Sequence, residues 1–356
     1  MPESRTKLVE EAELKRYCNA VLRKIGVPAD EALVAIDNLV EADLRGVDSH
    51  GVVRFPIYVK RLLDGGTNAQ PKPKLLRDSP TAVVFDGDNG LGHVVGVQAM
   101  QMAIDKSLQH GGCAFVAVRN SNHFGAAAYY AEMAARNNMI GFAFTIGAIN
   151  HMTPWGGAEA MLGNNPFAIA FPTPDGIPVV LDMACSIAAR GKIIVAAKEG
   201  KPIPSDWATG PDGLPTTDAV EALKGFVVPV GGPKGYALTL TVGLLSTMLS
   251  GAFFGSDVGD LYEKTKEAQN SGHLFGVLPV AAFDDIDAYM ARMQKGMDDM
   301  RNAKRAPGVD RIYLPGEREH LSLLSRRANG LPLGEGLWAE LQELAERYDA
   351  PLKSKD

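Results

Sequence analysis

Residues 81–100, TAVVFDGDNGLGHVVGVQAM, run from a short apolar segment through a glycine turn into a helical pattern, the setting that a dinucleotide-binding glycine fingerprint demands. The glycines fall at Gly90, Gly92 and Gly96, so the third comes one place late. The next apolar segment ends at Arg119, which suits a 2′-phosphate, rather than at an acid able to take a ribose hydroxyl. A glycine turn that lets a helix pack closely on a strand explains the same spacing. The stretch therefore argues for an α/β body without a standard Rossmann domain. Working outward, TAVVFDG, CAFVAVRN, MIGFAFTIG, NPFAIAFPT and PVVLDMA are short apolar runs bounded by Gly, Pro, Asn or Asp, and are predicted as strands. QAMQMAIDKSLQHG and GAAAYYAEMAARNN lie between them and are predicted as helices, so the middle of the chain alternates strand and helix.

Both ends of the chain read as helical. Leu14, Cys18, Val21 and Ile25 stand at helical spacing before a stop at Gly26 and Pro28. Asp30 is the expected N-cap of a second helix through about Leu44, and PIYVKRLLDGG is a third, closed by its glycines. A Pro-rich link from Pro71 to Pro80 marks the first boundary. Residues 200–233 are rich in proline and read as loop. Residues 235–255, GYALTLTVGLLSTMLSGAFFG, are long enough to cross a membrane, but their Gly, Ser and Thr content predicts a buried helix instead. Helical periodicity returns over Asp284 to Met300, and the tail sets Leu337, Leu341, Leu344 and Tyr348 on one face. No internal repeat is visible.

At 356 residues the chain is long enough for two lobes. Its net charge of −6 supplies no basic footprint for nucleic acid or an anionic membrane, so the expected partner is a small molecule. Cys18, Cys113 and Cys185 are odd in number and far apart, which suits a reducing cytoplasm rather than a disulfide framework or a zinc site. The charged opening stretch lacks the apolar segment of a signal peptide.

Three segments carry candidate chemistry. In Arg45 to Arg54, RGVDSHGVVR, a helical backbone would place His50 and Arg54 on one face, where the guanidinium can grip a carboxylate in two places and the imidazole can exchange a proton. A helix start capped by Asp48 or Ser49, with a solvated Arg, accounts for the same residues. Asn120 to Gly125, NSNHFG, sits where a strand gives way to a helix, the usual place for a ligand-binding loop, and His123 is either a proton-transfer group or a structural hydrogen-bonder. Val230 to Tyr236, VGGPKGY, combines flexible glycines, a helix start and Lys234, and reads equally as a phosphate cradle or as a simple helix start. The remaining histidines stand apart with no metal-ligand pair, so a metal-dependent hydrolase finds no support in their spacing and no metal is expected.

Taken together, RGVDSHGVVRFPIYV, NGLGHVVGVQAM, NSNHFGAAAYYA, TPWGGAEAMLGNNPFAIAFP, VVLDMACSIAARGKI, GLPTTD, PVGGPKGYALTLTVGLLS with SGAFFG, and RIYLPGER span nearly the whole chain. The chain resembles the non-Rossmann malate/lactate dehydrogenase family, whose members include ureidoglycolate and sulfolactate dehydrogenases and piperideine-2-carboxylate reductase. The resemblance implies an α/β fold with an unusual nicotinamide-binding body over residues 76–304, and a helical domain built from 1–75 and 305–356. It also implies a homodimer, NAD or NADP as cofactor, and hydride exchange with a small 2-hydroxy or 2-oxo acid. By motif match, His123, Phe124, Gly125, Ala126, Ala127, Asp182, Met183, Ala184, Lys234, Leu314, Pro315, Gly316, Glu317 and Arg318 would contact the cofactor. Ser49 and His50 would match the proton-transfer pair of the reductases, Arg54 and Asn164 would hold substrate, and dehydrogenase members place the proton acceptor at the position of His123. Two alternatives stand beside this reading: an NADPH-dependent cyclic imine carboxylate reductase, and a Rossmann-type dinucleotide-binding protein using Gly90 to Gly96. Lys192 replaces the acid that imine-reducing members carry, which counts against the first. ATGPDG after Trp207 and TIGAIN also depart from the family pattern, and both lie near the expected ligand site.

Overall fold

The computed structural model describes residues 6–355; residues 1–5, which begin the charged opening stretch, and residue 356 lie outside it. After a short strand β1 (Lys7–Val9), helix α1 (Glu11–Lys24) buries Leu14, Cys18 and Val21, and α2 (Ala29–Leu44) buries Ile36, Leu39 and Val40. Pro28 rather than Asp30 is the N-cap of α2, and Asp30 falls in the first turn, where its charge suits the helix dipole. The segment holding Ser49, His50 and Arg54 is not one helix. Two 3-10 turns, Asp48–His50 and Val52–Arg54, meet at an extended Gly51, and α3 (Phe55–Asp64) follows, ending on a left-handed Gly65.

The Pro-rich link contains an exposed edge strand, β2 (Lys74–Asp78), paired antiparallel with β3 (Ala82–Asp86). Helix α4 (Gly92–His110) then crosses to β4 (Ala114–Ser121), parallel to β3, and α5 (Ala127–Ala135) leads to β5 (Met139–Thr145). From there the alternation fails. Strands β6 (Phe167–Phe171) and β7 (Val179–Met183) add antiparallel without intervening helices. Beyond β7 come α6 (Arg190–Glu199), β8 (Ala208–Thr209), α7 (Ala219–Lys224), β9 (Phe226–Val227) and α8 (Pro233–Thr247). The chain returns as β10 (Ser271–Pro279), which inserts between β4 and β5, and continues into α9 (Ile286–Arg301). The seven-stranded order is β2-β3-β4-β10-β5-β6-β7, with β3-β4 as its parallel pair. A sheet so largely antiparallel is not doubly wound.

The glycines of the opening stretch serve packing. A side-chain carbon at Gly92 would lie 2.1 Å from the Asn122 carbonyl oxygen and 2.4 Å from that of His123, and one at Gly96 would lie 2.6 Å from the Tyr130 ring. The start of α4 is therefore covered by the chain that follows β4, leaving no room there for a diphosphate, and Arg119 is paired with Asp86 at 2.9 Å. These contacts overturn the Rossmann alternative. Helices α4 and α5 cover one face of the sheet and α8 the other.

Helix α8 turns Val242 inward beside a row of small residues. Its sheet-facing side carries Gly235, Thr239, Gly243, Ser246 and Thr247, whose hydroxyls bond back to carbonyls one turn earlier. The small residues let the helix lie close on β10: a side-chain carbon on Gly272 would meet the Ser246 carbonyl at 2.3 Å. Its outer side exposes Leu244 and Leu245, and Met248, Leu249 and Phe253 are exposed just beyond its end, so the expectation of a buried helix is corrected. Among the described residues no helix is long and apolar enough to cross a membrane.

The C-terminal elements, α10 (Glu317–Asn329), β11 (Leu331–Leu333) and α11 (Glu335–Arg347), return to the N-terminal helices. Strand β11 pairs with β1, and Leu323, Leu331, Leu333 and Leu341 share one core with Leu14, Ile36, Leu39 and Phe55.

Candidate active site

A cleft of about 500 Å³ opens between α2, the start of α5, β7 and the turn before α10. It is lined by Ser49, His50, Gly125, Ala126, Ala127, Asn164, Asp182, Met183, Ala184, Leu314, Pro315, Gly316 and Arg318. These residues come from five separate stretches of the sequence, and the fold brings them together. A smaller cavity of about 30 Å³, lined by Phe124, Thr145, Ile146, Gly147 and Ala148, adjoins the cleft and shares with it His50, Gly125, Asn164 and Pro166; His123 lines this inner end.

Three expected residues lie apart from the lining. Lys234 is exposed at the start of α8. Glu317 is buried beneath the turn, where its carboxylate accepts from the Leu314 amide at 2.8 Å and from Arg301 Nε at 2.8 Å, so it shapes the Leu314–Gly316 turn instead of facing the cleft. Arg54 sits beside the inner end. Its Nε donates to the Ser49 carbonyl oxygen at 2.7 Å and its guanidinium lies over the Tyr262 ring at 5.5 Å. Among the described residues nothing takes up its two terminal nitrogens, which are the pair a carboxylate would engage.

The inner end concentrates imidazoles. The His50 and His123 rings stack with centroids 5.7 Å apart. Ser49 Oγ lies 3.0 Å from His50 Nδ1, and Tyr58 Oη lies 2.6 Å from His123 Nδ1. Burial disfavours a charged imidazole, and the Arg54 charge adds to the effect, so His50 is pushed down to about 4. His123 is held well below its ordinary value by burial first, then by His50, Arg54, His93 and His273. Both rings are thus neutral at pH 7 and able to exchange or share a proton. On the cleft wall, burial pushes the Asp182 carboxyl up to about 6, although the Ala128 amide at 3.3 Å opposes the shift.

Supporting residues escaped the sequence reading. Asp43 Oδ2 accepts the Val52 amide at 2.8 Å and underlies the loop carrying Ser49, His50 and Arg54. Arg61, buried in α3, donates to the carbonyls of Gly66, Lys264 and Glu267 and so ties down the segment that seats Tyr262 against Arg54. Tyr58 stands one helical turn after Arg54, a spacing that could have flagged it. Nothing in the local sequence marks Asp43 or Arg61.

The cleft has features that a phosphate-bearing cofactor would use. Its volume lies in the usual range of small-molecule and cofactor pockets, and the amide-bearing starts of both α5 and α10 border it, each a favourable place for a phosphate. Gly316, with φ +94°, brings the second turn's backbone within close range of β7, where its amino-terminal neighbour Pro315 accepts the Val180 amide at 3.0 Å.

Comparison with known proteins extends over the same framework. The family profile described as malate/L-lactate dehydrogenase matches residues 9–342. The chain is 39% identical over 343 residues to a malate dehydrogenase of Pyrococcus abyssi, covering 94% of this chain and 93% of that one. Its fold is similar to the sulfolactate dehydrogenase of Methanocaldococcus jannaschii, with a TM-score of 0.91 and 38% identity, over 97% of this chain and 98% of that one. It is likewise similar to malate dehydrogenase of Entamoeba histolytica, with a TM-score of 0.92 and 36% identity, over 98% and 99% of the two chains. With the sequence motifs, the fold and the cleft all in agreement, the chain belongs to the malate/L-lactate dehydrogenase family of oxidoreductases.

Proposed function

We propose that the chain moves a hydride between a nicotinamide dinucleotide and C2 of a small 2-hydroxy or 2-oxo acid, with the reacting carbon at the inner end of the cleft. The observation that carries this reading is the pairing of His50 and His123 there, 5.7 Å apart, with the unpaired end of Arg54 alongside. Gly125 to Ala127, Asp182 to Ala184, Leu314 to Gly316 and Arg318 would hold the cofactor, which supplies the hydride acceptor or donor. Asp182 would take a ribose hydroxyl, and the α5 start a phosphate. NAD and NADP both fall within the reading. Glu317 would serve the cofactor only through the turn it shapes, and Lys234, at the exposed start of α8, stands outside the cleft lining.

Removing hydride from an alcohol carbon leaves the hydroxyl proton to be taken up, and the neutral imidazole of His50, steadied by Ser49, is suited to receive it. Such proton transfer contributes about 10² to 10⁴ in rate. A substrate carboxylate paired with Arg54 would cancel the positive charge that now opposes protonation of His50, so substrate binding would strengthen the base. Asn164, which lines both cavities, would position the acid.

His50→Asn should lower kcat by at least 10²-fold while leaving nicotinamide binding, measured by calorimetric titration with NAD and NADP separately, within a few-fold of wild type. Near-normal turnover in His50→Asn, together with an inactive His123→Asn, would transfer the proton role to His123. Activity in both variants would place the site elsewhere.

We also infer a homodimer. The tail residues Leu337 and Leu341 already pack within the chain's own core, so they give no support; the exposed Leu244 and Leu245 of α8, with Met248 and Leu249 just after it, would supply the face for a second copy. A monomer mass by light scattering at micromolar concentration would refute it.

A further inference from the structure

Two hydrogen-bonding groups converge on one atom of His123. Tyr58 Oη lies 2.6 Å from Nδ1, and the Gly125 amide donates to the same nitrogen at 3.4 Å. A hydroxyl can rotate to accept, but an amide N–H cannot, so a hydrogen on Nδ1 would confront the Gly125 hydrogen directly. Gly125 is closely packed against α2 and His93. Its φ is +79°, and a side-chain carbon there would sit 2.5 Å from Asn38 Oδ1. Tyr58 is only 6% exposed, and His123 is its one hydrogen-bond partner among the described residues.

We infer, resting on the function proposed above, that Tyr58 and the Gly125 amide lock His123 in the neutral tautomer with its hydrogen on Nε2. His123 is then a hydrogen-bond donor to the reacting oxygen, and proton exchange belongs to His50. In oxidation of a 2-hydroxy acid, the C2 hydrogen leaves with its electron pair to the oxidised nicotinamide. The hydroxyl proton passes to Nε2 of His50, which becomes an imidazolium whose Nδ1 hydrogen faces Ser49 Oγ. His123 keeps its own proton throughout and stabilises the oxygen as it becomes a carbonyl. Reduction reverses each transfer. Tyr58 is on this account a positioning residue, acting only through His123.

The test is ¹⁵N-histidine NMR of the full-length protein with bound nicotinamide, read beside steady-state kinetics. Wild type should show His123 with an unprotonated, hydrogen-bonded Nδ1 and a protonated Nε2 across pH 5.5 to 8. Tyr58→Phe, which keeps the ring, should mix the two tautomers and lower kcat about 10- to 100-fold, the scale seen when the partner orienting a metal-bound imidazole is lost, with KM changed less than threefold. A wild-type His123 protonated on Nδ1 would overturn the inference. So would a Tyr58→Phe variant whose kcat falls without any tautomer change, or one in which neither quantity moves. A wild type inactive on every 2-hydroxy and 2-oxo acid would sink the proposed function, while the NMR signature would still judge the lock on its own.

Discussion

Alanine at Gly51 would force the proton-exchange loop and its support apart. The new carbon would lie 1.9 Å from Asp43 Oδ1 and 2.2 Å from its Cγ, where real contacts essentially never fall under 3.0 Å. Backbone strain plays no part, because Gly51 has φ −87° and ψ −151°, a conformation open to any residue. Asp43 cannot give way: it is 4% exposed in the last turn of α2, and its carboxylate holds the Val52 amide at 2.8 Å. The loop must therefore move by about 1 Å, carrying Ser49, His50 and Arg54 with it, and a displacement of that size costs about 10²-fold in rate. Overpacking itself should cost about 1–3 kcal/mol of stability. Steady-state assay with a 2-oxo acid and reduced nicotinamide would read the first effect, and thermal unfolding the second. Adding Asp43→Ala opens the space, so the double variant should lose less than the two single variants together. A Gly51→Ala protein with wild-type kcat/KM and unchanged Tm would refute the packing argument.

Arg54→Lys should raise KM for the acid about 10-fold or more while sparing cofactor affinity, because a point charge replaces a planar two-point grip; equal loss for acid and cofactor, seen in separate titrations, would contradict this. Acid should destabilise the protein. His93 and His273 are fully buried, and desolvation holds each down to about 3. With folded values below the unfolded value near 6.5, their contribution is complete above pH 6.5 and lost as pH falls through it, by roughly 2 kcal/mol each at pH 5. A Tm that stays flat from pH 7 to 5 would count against it. Asp43 acts in the opposite sense: burial raises it to about 7, so its ionisation costs stability as pH climbs from about 4 to 7. Asp43→Asn, which can still accept the Val52 amide, should gain stability relative to wild type at pH 8 and lose that advantage at pH 4.

The strands from β3 to β7 and helices α4 and α5 were legible because their apolar runs are bounded by turn residues, and the family motifs marked most of the cleft lining. The centre of the sheet was not. Strand β10, SGHLFGVLP, is buried on both faces and so shows no alternation, and its glycines and histidine make a poor strand signature. Without it, the alternation of strand and helix suggested more parallel pairing than exists. Helix α8 misled because small and hydroxyl-bearing residues fill much of its inward side, beside Val242, while Leu244 and Leu245 face out, so its apolar residues do not mark one buried face. In β2, the apolar Leu75 and Leu76 are exposed at a sheet edge between prolines, which read as a link. His50 and Arg54 do meet at one site, but across a break at Gly51 rather than along a helix face. The contacts that support them join residues far apart in sequence, as Tyr58 with His123 and Arg61 with Glu267, and no local pattern encodes such pairs.

Direct transfer of hydride between the nicotinamide and C2 of the acid is the central claim, and isotope tracing tests it most directly. Malate, lactate and sulfolactate, each carrying deuterium at C2, would be incubated with the protein and NAD or NADP, with reduced nicotinamide followed by absorbance and its deuterium content by mass spectrometry. The account predicts that at least one of these acids reduces the cofactor and that the deuterium is found on the nicotinamide ring. Absence of turnover with all three acids and both cofactors, or reduced nicotinamide formed with the deuterium lost to water, would contradict it.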